Sequence, residues 1–250
     1  IRSSTSLTNK YLYGAGIAYA NYNLIDKVVM NGAINISADI SKISNRNAGG
    51  IVYSNYALIL NSNFGGKLAA WNMGGIAVQN NYLRSGNPIS VEVTKILNTG
   101  KNTTTYIGAN IMGCVSNGTY ILAYGTTEQG VKIAGITAIN NGGRLLRNIS
   151  KLNNCYTKVT GINENTNLDV SKESKNFTLS GFGSTNTVFS YVGGSVAQAC
   201  NVNQNGTAVY SSIENSYSEL CCQIIETNKQ TRVGAIVGTY IFTSGVTTDY

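Results

Sequence analysis

A short glycine-marked unit recurs along this chain, and its spacing leaves few folds open. The unit is an apolar residue, a small residue, then Gly or Ala, then usually Ile and another apolar residue. Its copies are Gly14-Ala15-Gly16-Ile17-Ala18, Ala48-Gly49-Gly50-Ile51-Val52, Met73-Gly74-Gly75-Ile76-Ala77 and Ile107-Gly108-Ala109-Asn110-Ile111. Then follow Ile133-Ala134-Gly135-Ile136-Thr137, Val159-Thr160-Gly161-Ile162-Asn163, Val192-Gly193-Gly194-Ser195-Val196 and Val233-Gly234-Ala235-Ile236-Val237. Successive anchors, from Gly16 through Gly50, Gly75, Ala109, Gly135, Gly161 and Gly194 to Ala235, lie about 34, 25, 34, 26, 26, 33 and 41 residues apart. Solenoids and other repeat arrays have periods of roughly 20 to 50 residues.

Glycine inside a strand costs entropy and packs nothing, so its recurrence marks a tight corner or a close backbone approach. A coil of stacked strands needs both once per turn. Ile and Val then face inward and rest on their counterparts in the next turn. Five residues past the anchor, Asn21, Asn55, Asn80 and Asn140 recur, with Cys114 standing in once. Asn suits turns, and stacked Asn side chains can form a hydrogen-bond ladder. The chain is therefore expected to be all-β: one right-handed parallel β-solenoid over residues 1–250, of about eight rungs, with loops inserted near 83–104, 170–187 and 215–231. The structural residues of the repeat are Gly16, Gly50, Gly75, Gly135, Gly161 and Gly194.

Composition fits that reading. Of 250 residues, 42% are hydrophobic and 12% charged, with 28 Gly, one Pro and 16 Tyr. Charged residues usually make up about 25% of a soluble domain, and here neutral polar residues replace them, Asn alone at about 13%. The net charge of +7 is scattered. Nucleic-acid binding, which needs a basic stripe, is not expected. No apolar run approaches the ~18 residues of a membrane span. The sequence opens Ile1-Arg2-Ser3-Ser4 without Met, as a mature or excised piece would.

Five cysteines, Cys114, Cys155, Cys200, Cys221 and Cys222, show no CxxC spacing, and there is no His. A structural zinc site is not expected. Two readings stay open: buried thiols in a β core, or one or two disulfides in an oxidising compartment. An odd count leaves at least one thiol without an intrachain partner. Cys221 and Cys222 should point to opposite faces of a strand.

The segments Asn61-Ser62-Asn63-Phe64, Asn153-Asn154-Cys155-Tyr156 and Asn215-Ser216-Tyr217 alternate with the Gly-Gly-Ile cores. This alternation resembles the GLUG-type repeats of large bacterial and protist surface proteins. This chain prefers Ile where those repeats often have Leu, and its turns are longer. The resemblance implies a secreted or cell-surface β-solenoid of the adhesin, coat or filament type, and it brings no catalytic residue set.

Solenoid enzymes acting on polysaccharides need paired carboxylates or a carboxylate cluster for calcium. The repeat register places no two of the eleven acidic residues at one position of adjacent rungs. Without His, Ser-His and Cys-His nucleophile systems are excluded. We therefore expect no enzyme, no catalytic or metal residues and no cofactor, with a polysaccharide lyase or hydrolase as a remote alternative. Candidate N-glycosylation acceptors are Asn102, Asn117, Asn176 and Asn205 in turn-like segments, and Asn35 and Asn148 in strand-like runs. Tyr13, Tyr106 and Tyr191 lie three residues before an anchor, where other copies carry Asn47, Asn72, Lys132, Lys158 and Arg232. An outward column there would form a stripe, with the tyrosines as a glycan platform. A solenoid has two ends that need capping or pairing. The expected function is an extracellular structural subunit of a surface fibre or coat, self-assembling through its ends. The alternative is an adhesin or glycan-binding module of a larger surface protein.

Overall fold

The computed structural model describes residues 11–36, 45–82, 109–123, 130–158, 170–172, 174–179, 189–204, 207–225 and 230–242. They form a parallel β-solenoid, in which the chain passes through five sheets in turn and each turn pairs with the one before it. Sheet 1 holds Tyr11–Ala15, Asn45–Gly49, Asn72–Gly74, Lys132–Ala134, Ser190–Gly193 and Thr231–Gly234. Sheet 2 holds Ala18–Asn21, Val52–Asn55, Ala77–Asn81, Thr137–Asn141, Val196–Cys200 and Val237–Ile241. Sheet 3 holds Leu24–Asp26, Leu58–Leu60, Asn110–Met112, Arg144–Leu146 and Ser212–Glu214. Sheet 4 holds Val29–Met30, Asn63–Phe64, Val115–Ser116, Ile149–Leu152 and Tyr217–Leu220, and sheet 5 holds Ala33–Asn35, Lys67–Ala70, Thr119–Leu122 and Asn154–Thr157. Phe177–Thr178 pairs with Ile224–Ile225, and Val202–Gln204 with Thr207–Val209 makes an antiparallel hairpin outside the coil.

Six of the eight anchors, Gly16, Gly50, Gly75, Gly135, Gly194 and Ala235, fall at one corner, between sheets 1 and 2. Ala109 does not. It precedes Asn110–Met112, which pairs with Leu58–Leu60 and Arg144–Leu146 in sheet 3. The chain from Gly75 to Gly135 is thus one turn, with its extra residues between its first strand, Ala77–Asn81, and its second, Asn110–Met112. Gly161 lies outside the described residues. Among the described residues, six rungs line sheets 1 and 2 where eight were expected, because a small residue such as Ala109 can also stand at the entry of a strand in another sheet. Segment 215–231, expected to be an inserted loop, instead contributes Tyr217–Leu220 to sheet 4 and contains Ile224–Ile225. Of 170–187, a 3-10 turn at Val170–Lys172 and the strand Phe177–Thr178 are described, and 83–104 lies outside the described residues.

The corner explains the glycines. A Cβ added at Gly16, Gly50, Gly75, Gly135 or Gly194 would come closer than 3.0 Å to the carbonyl oxygen of the corresponding corner residue in the next turn. It would also crowd the sheet-4 residue facing it across the core: Met30, Phe64, Ser116, Ser150 or Ser218 respectively. Ala235 stands in the last described turn, where no further corner carbonyl occupies that space.

The residue after the anchor forms the inner column Ile17, Ile51, Ile76, Ile136, Ser195, Ile236, each backbone N–H donating to the next carbonyl at 2.9–3.1 Å. Ile51, Ile76 and Ile136 are fully buried, each worth about 1.5–3 kcal/mol against exposure. Ser195 breaks the column, and its hydroxyl is 3.1 Å from that of Ser150. A second inner column, Ile25, Ile59, Ile111, Leu145, Ile213, runs along sheet 3.

The expected Asn ladder is present. Asn21 Nδ2 donates to Asn55 Oδ1 at 2.8 Å, Asn55 to Asn80 at 2.8 Å and Asn80 to Asn140 at 2.9 Å, all buried. It ends where Ala199 takes the next position. Cys114 is not in it, because its apparent anchor Ala109 belongs to another sheet. Cys114 sits at the corner between sheets 3 and 4, in line with Ser62 and Asn148. Its N–H donates to Asn148 Oδ1 at 2.9 Å. At that corner every turn uses a left-handed residue: Lys27, Asn61, Gly113, Arg147 and Asn215, with φ of 55°, 47°, 64°, 53° and 48°.

One disulfide joins Cys155, inward-facing in sheet 5, to Cys222, with Cα atoms 5.7 Å apart and a sequence separation of 67. Cys114, Cys200 and Cys221 are free thiols. Cys222 turns inward and Cys221 is exposed, as adjacent strand-like residues should.

Gly75→Ala is expected to destabilise by about 1–3 kcal/mol or more, as overpacking does, whereas Ala235→Gly costs no more than about 1 kcal/mol. Urea midpoints of the two variants measure the contrast. Asn80→Ala leaves Asn55 Nδ2 and Asn140 Oδ1 without their buried partner, an expected loss of about 2–4 kcal/mol by the same assay. Opening the disulfide with Cys155→Ser and Cys222→Ser is expected to cost about 2–5 kcal/mol, read as a fall in Tm relative to the oxidised parent.

Candidate functional site

The column three residues before the corner is real. Tyr13, Asn47, Asn72, Lys132, Tyr191 and Arg232 pair in register along sheet 1. It is not an exposed stripe, however. Asn47 and Asn72 are buried, and Tyr191 is only 8% exposed. The tight corner brings the outward sides of sheets 1 and 2 together, so that Tyr191 packs with Ala197, Ala134, Phe189 and Ile241. Asn72 Nδ2 donates to Asn47 Oδ1 at 3.0 Å, and the Lys132 N–H donates to Asn72 Oδ1 at 2.9 Å. The Lys132 ammonium lies 5.9 Å from the Tyr191 ring centroid, and burial lowers its pKa. Tyr191 is thus a packing residue and not a platform. Tyr106 lies outside the described residues. Lys158, expected in the same column, follows the sheet-5 strand Asn154–Thr157 and is buried there.

Of the two described tyrosines only Tyr13 faces solvent, and it belongs to a group that sequence reading missed. Its ring centroid is 4.5 Å from that of Tyr53 and 5.8 Å from that of Tyr19, and Tyr19 stacks on Tyr53 at 5.1 Å. Tyr22 stacks on Tyr56 at 4.9 Å with only 5° between the ring planes. Tyr19 and Tyr22 are 61% and 57% exposed. The signal lay in the sequence as Tyr19-Ala20-Asn21-Tyr22 and Tyr53-Ser54-Asn55-Tyr56, one repeat apart. The Asn of each motif goes into the buried ladder and the tyrosines flank it outside. Burial, followed by the neighbouring tyrosines, raises the Tyr53 pKa, so its hydroxyl stays protonated.

Among the described residues, the inner Ile column ends half-exposed on both sides. Ile17 is 50% exposed at one end and Ile236 46% at the other, with Val233 also open beside Ile236.

The described acids are Asp26, Glu214 and Glu219. Glu214 receives two hydrogen bonds from Arg144, at 2.9 and 2.6 Å, which hold its carboxyl below the usual range. Glu219 lies 3.8 Å from Lys151, and Asp26 accepts from Asn61 at 3.1 Å. Asp26 and Glu214 share a column of sheet 3 but stand at its opposite ends. Among the described residues no three His, Cys, Asp or Glu side chains gather as metal ligands would. Among these residues no helix is long and apolar enough to cross a membrane. Burial pushes the Cys114 thiol up to about 12, which leaves it a poor nucleophile.

Of the glycosylation candidates, Asn117 is exposed at the corner between sheets 4 and 5. Asn176 is half-buried, with its Oδ1 accepting from the Thr178 hydroxyl at 2.8 Å. Asn148 is buried and donates to the Ile111 carbonyl at 2.9 Å, so its amide is committed to the corner. Asn35 is half-buried in sheet 5, and Asn102 and Asn205 lie outside the described residues. No family model matches this chain, and neither does any curated protein or solved structure.

Proposed function

We propose that this chain is a non-catalytic structural subunit of an extracellular fibre or coat, associating end to end with further copies. The carrying observation is the inner column that stops half-exposed at Ile17 and Ile236 while its middle members are buried. The strand edges at the end of a solenoid are where the backbone of a further rung can pair. The polarity of the corner suits head-to-tail stacking. Corner N–H groups point toward the later turn, as Gly16 to the Gly49 carbonyl and Ile17 to the Ile51 carbonyl. One end therefore offers corner acceptors and the other corner donors. The Cys155–Cys222 disulfide supports an oxidising compartment, and the resemblance to GLUG-type surface repeats points the same way.

A second reading, an adhesive module for neutral glycans, draws on the exposed rings of Tyr13, Tyr19 and Tyr22. Tyrosine offers a flat apolar face with a polar tip.

The Ala235 methyl stands where the corner carbonyl of an incoming rung would lie, so stacking at that end is weaker than stacking within the chain. Sedimentation and negative-stain microscopy at high concentration are expected to show short linear assemblies, and Ala235→Gly should lengthen them. A chain that stays monomeric, with or without that substitution, would sink the fibre reading. Tyr19→Ala with Tyr22→Ala is expected to abolish retention on a neutral glycan array if the adhesive reading holds, with the urea midpoint little changed.

A further inference from the structure

The solenoid covers the outward side of most sheets with its own residues. On sheet 3 the outward residues Leu58, Leu60, Met112 and Leu146 form a buried cluster. On sheet 5 Ala69 and Ile121 are buried against Tyr156 and Val170. On sheets 1 and 2 the outward residues pack on one another at the corner. Sheet 4 differs. Its inward residues are Met30, Phe64, Ser116, Ser150 and Ser218, which leaves Val29, Asn63, Val115, Ile149 and Tyr217 as one outward column in register. Val29 is 63% exposed, Ile149 41% and Tyr217 56%. At about 4.8 Å per rung the column runs about 19 Å. Asn63 is polar and Val115 half-buried, so three apolar side chains of the five stand open along the sheet, and a group of this kind marks an interaction surface.

We propose that this face of sheet 4 binds the same face of a second copy, with the two solenoids antiparallel about a two-fold axis through Val115. The side chains favour this. Reversing the column sets Val29 against the larger Tyr217, Asn63 against Ile149, and Val115 against itself, so the large residues at one end meet the small ones at the other.

Directly opposed charges favour the antiparallel direction. The column is flanked on one side by Lys27, Asn61, Gly113, Arg147 and Asn215, and on the other by Asn31, Gly65, Asn117, Lys151 and Glu219. In the antiparallel pair each flank meets its own kind in reverse order. Lys27 then faces Asn215, Arg147 faces Asn61, Lys151 faces Gly65 and Glu219 faces Asn31, so no like charges oppose. In a parallel two-fold pair the flanks exchange, and Arg147 meets Lys151 twice. Like-charge juxtaposition disfavours wrong pairings. The contact is lateral and does not depend on stacking at the solenoid ends. A face this narrow belongs with small, weak interfaces, and many copies held in a coat would strengthen it by effective concentration.

The test uses the full chain in a Cys221→Ser background at high protein concentration. Val29→Cys mixed with Tyr217→Cys is expected to give disulfide-linked dimers about tenfold faster than either variant alone, and Val115→Cys should link to itself. Ile149→Lys and, separately, Asn63→Lys should each weaken lateral association about tenfold or more. Far-UV circular dichroism and Tm should be unchanged, and end-to-end lengthening by Ala235→Gly should persist. Preferential linking of Val29→Cys to itself would overturn the antiparallel pair. So would a chain that forms no lateral dimer, including one whose sheet-4 face instead retains an insoluble neutral polysaccharide. Loss of linear assemblies with lateral pairing intact would count against end-to-end stacking alone.

Discussion

The structure depends on one close contact: the corner between sheets 1 and 2, where each turn's backbone lies against the carbonyl of the next with no room for a side chain. Gly50 faces the Gly75 carbonyl and Gly75 faces that of Gly135, and the same space is bounded from the core side by Phe64, Ser116 and Tyr120. Because the corner is so tight, sheet 4 approaches it from across the coil. The sheet-4 residue then shrinks from Phe64 to Ser116, and Tyr120 enters from sheet 5 to fill the interior. Its hydroxyl bonds Ser116 at 2.7 Å and the Gly135 carbonyl at 3.2 Å. A buried hydroxyl left without such partners would cost about 1–3 kcal/mol.

Polar ladders do for two further corners what glycine does for the first. The Asn21–Asn55–Asn80–Asn140 chain satisfies turn carbonyls while tying four turns together, since Asn55 Nδ2 also reaches the carbonyl of Ala57 at 3.0 Å. At the corner between sheets 3 and 4, Ser62, Cys114, Asn148 and Ser216 play the same part with different side chains. The geometry there is held by a left-handed residue in every turn, even where that residue is Lys27 or Arg147. Side chains with Cβ adopt that backbone at a cost of about 1–2 kcal/mol, so the stacked neighbours must supply the compensation.

Function, in the reading proposed above, follows from where the coil is left incomplete. The described ends expose core aliphatics, sheet 4 exposes an outward apolar column, and Tyr13, Tyr19 and Tyr22 of the first described turn expose ring faces. A solenoid sums nearest-neighbour contacts, so every uncovered edge or face is a place where a further copy can extend the same interactions.

The parallel coil, the corner glycines and the Asn ladder were all legible in the sequence, because each rests on one residue type repeated at one position. The Tyr-x-Asn-Tyr pair was legible too, though it becomes a cluster only once successive turns stack. Ala109 misled because a small residue before Ile is not itself a corner, and only strand pairing separates the two. The burial of Tyr191 and the left-handed turns at Lys27 and Arg147 carry no local mark. The partner of Cys155 among four candidate cysteines carries none either. The sequence by itself determined which residues repeat, and so which backbone positions must come close. The tertiary structure alone decided the number of turns, the pairing of cysteines and which outward columns are covered, because those depend on contacts between residues tens of positions apart.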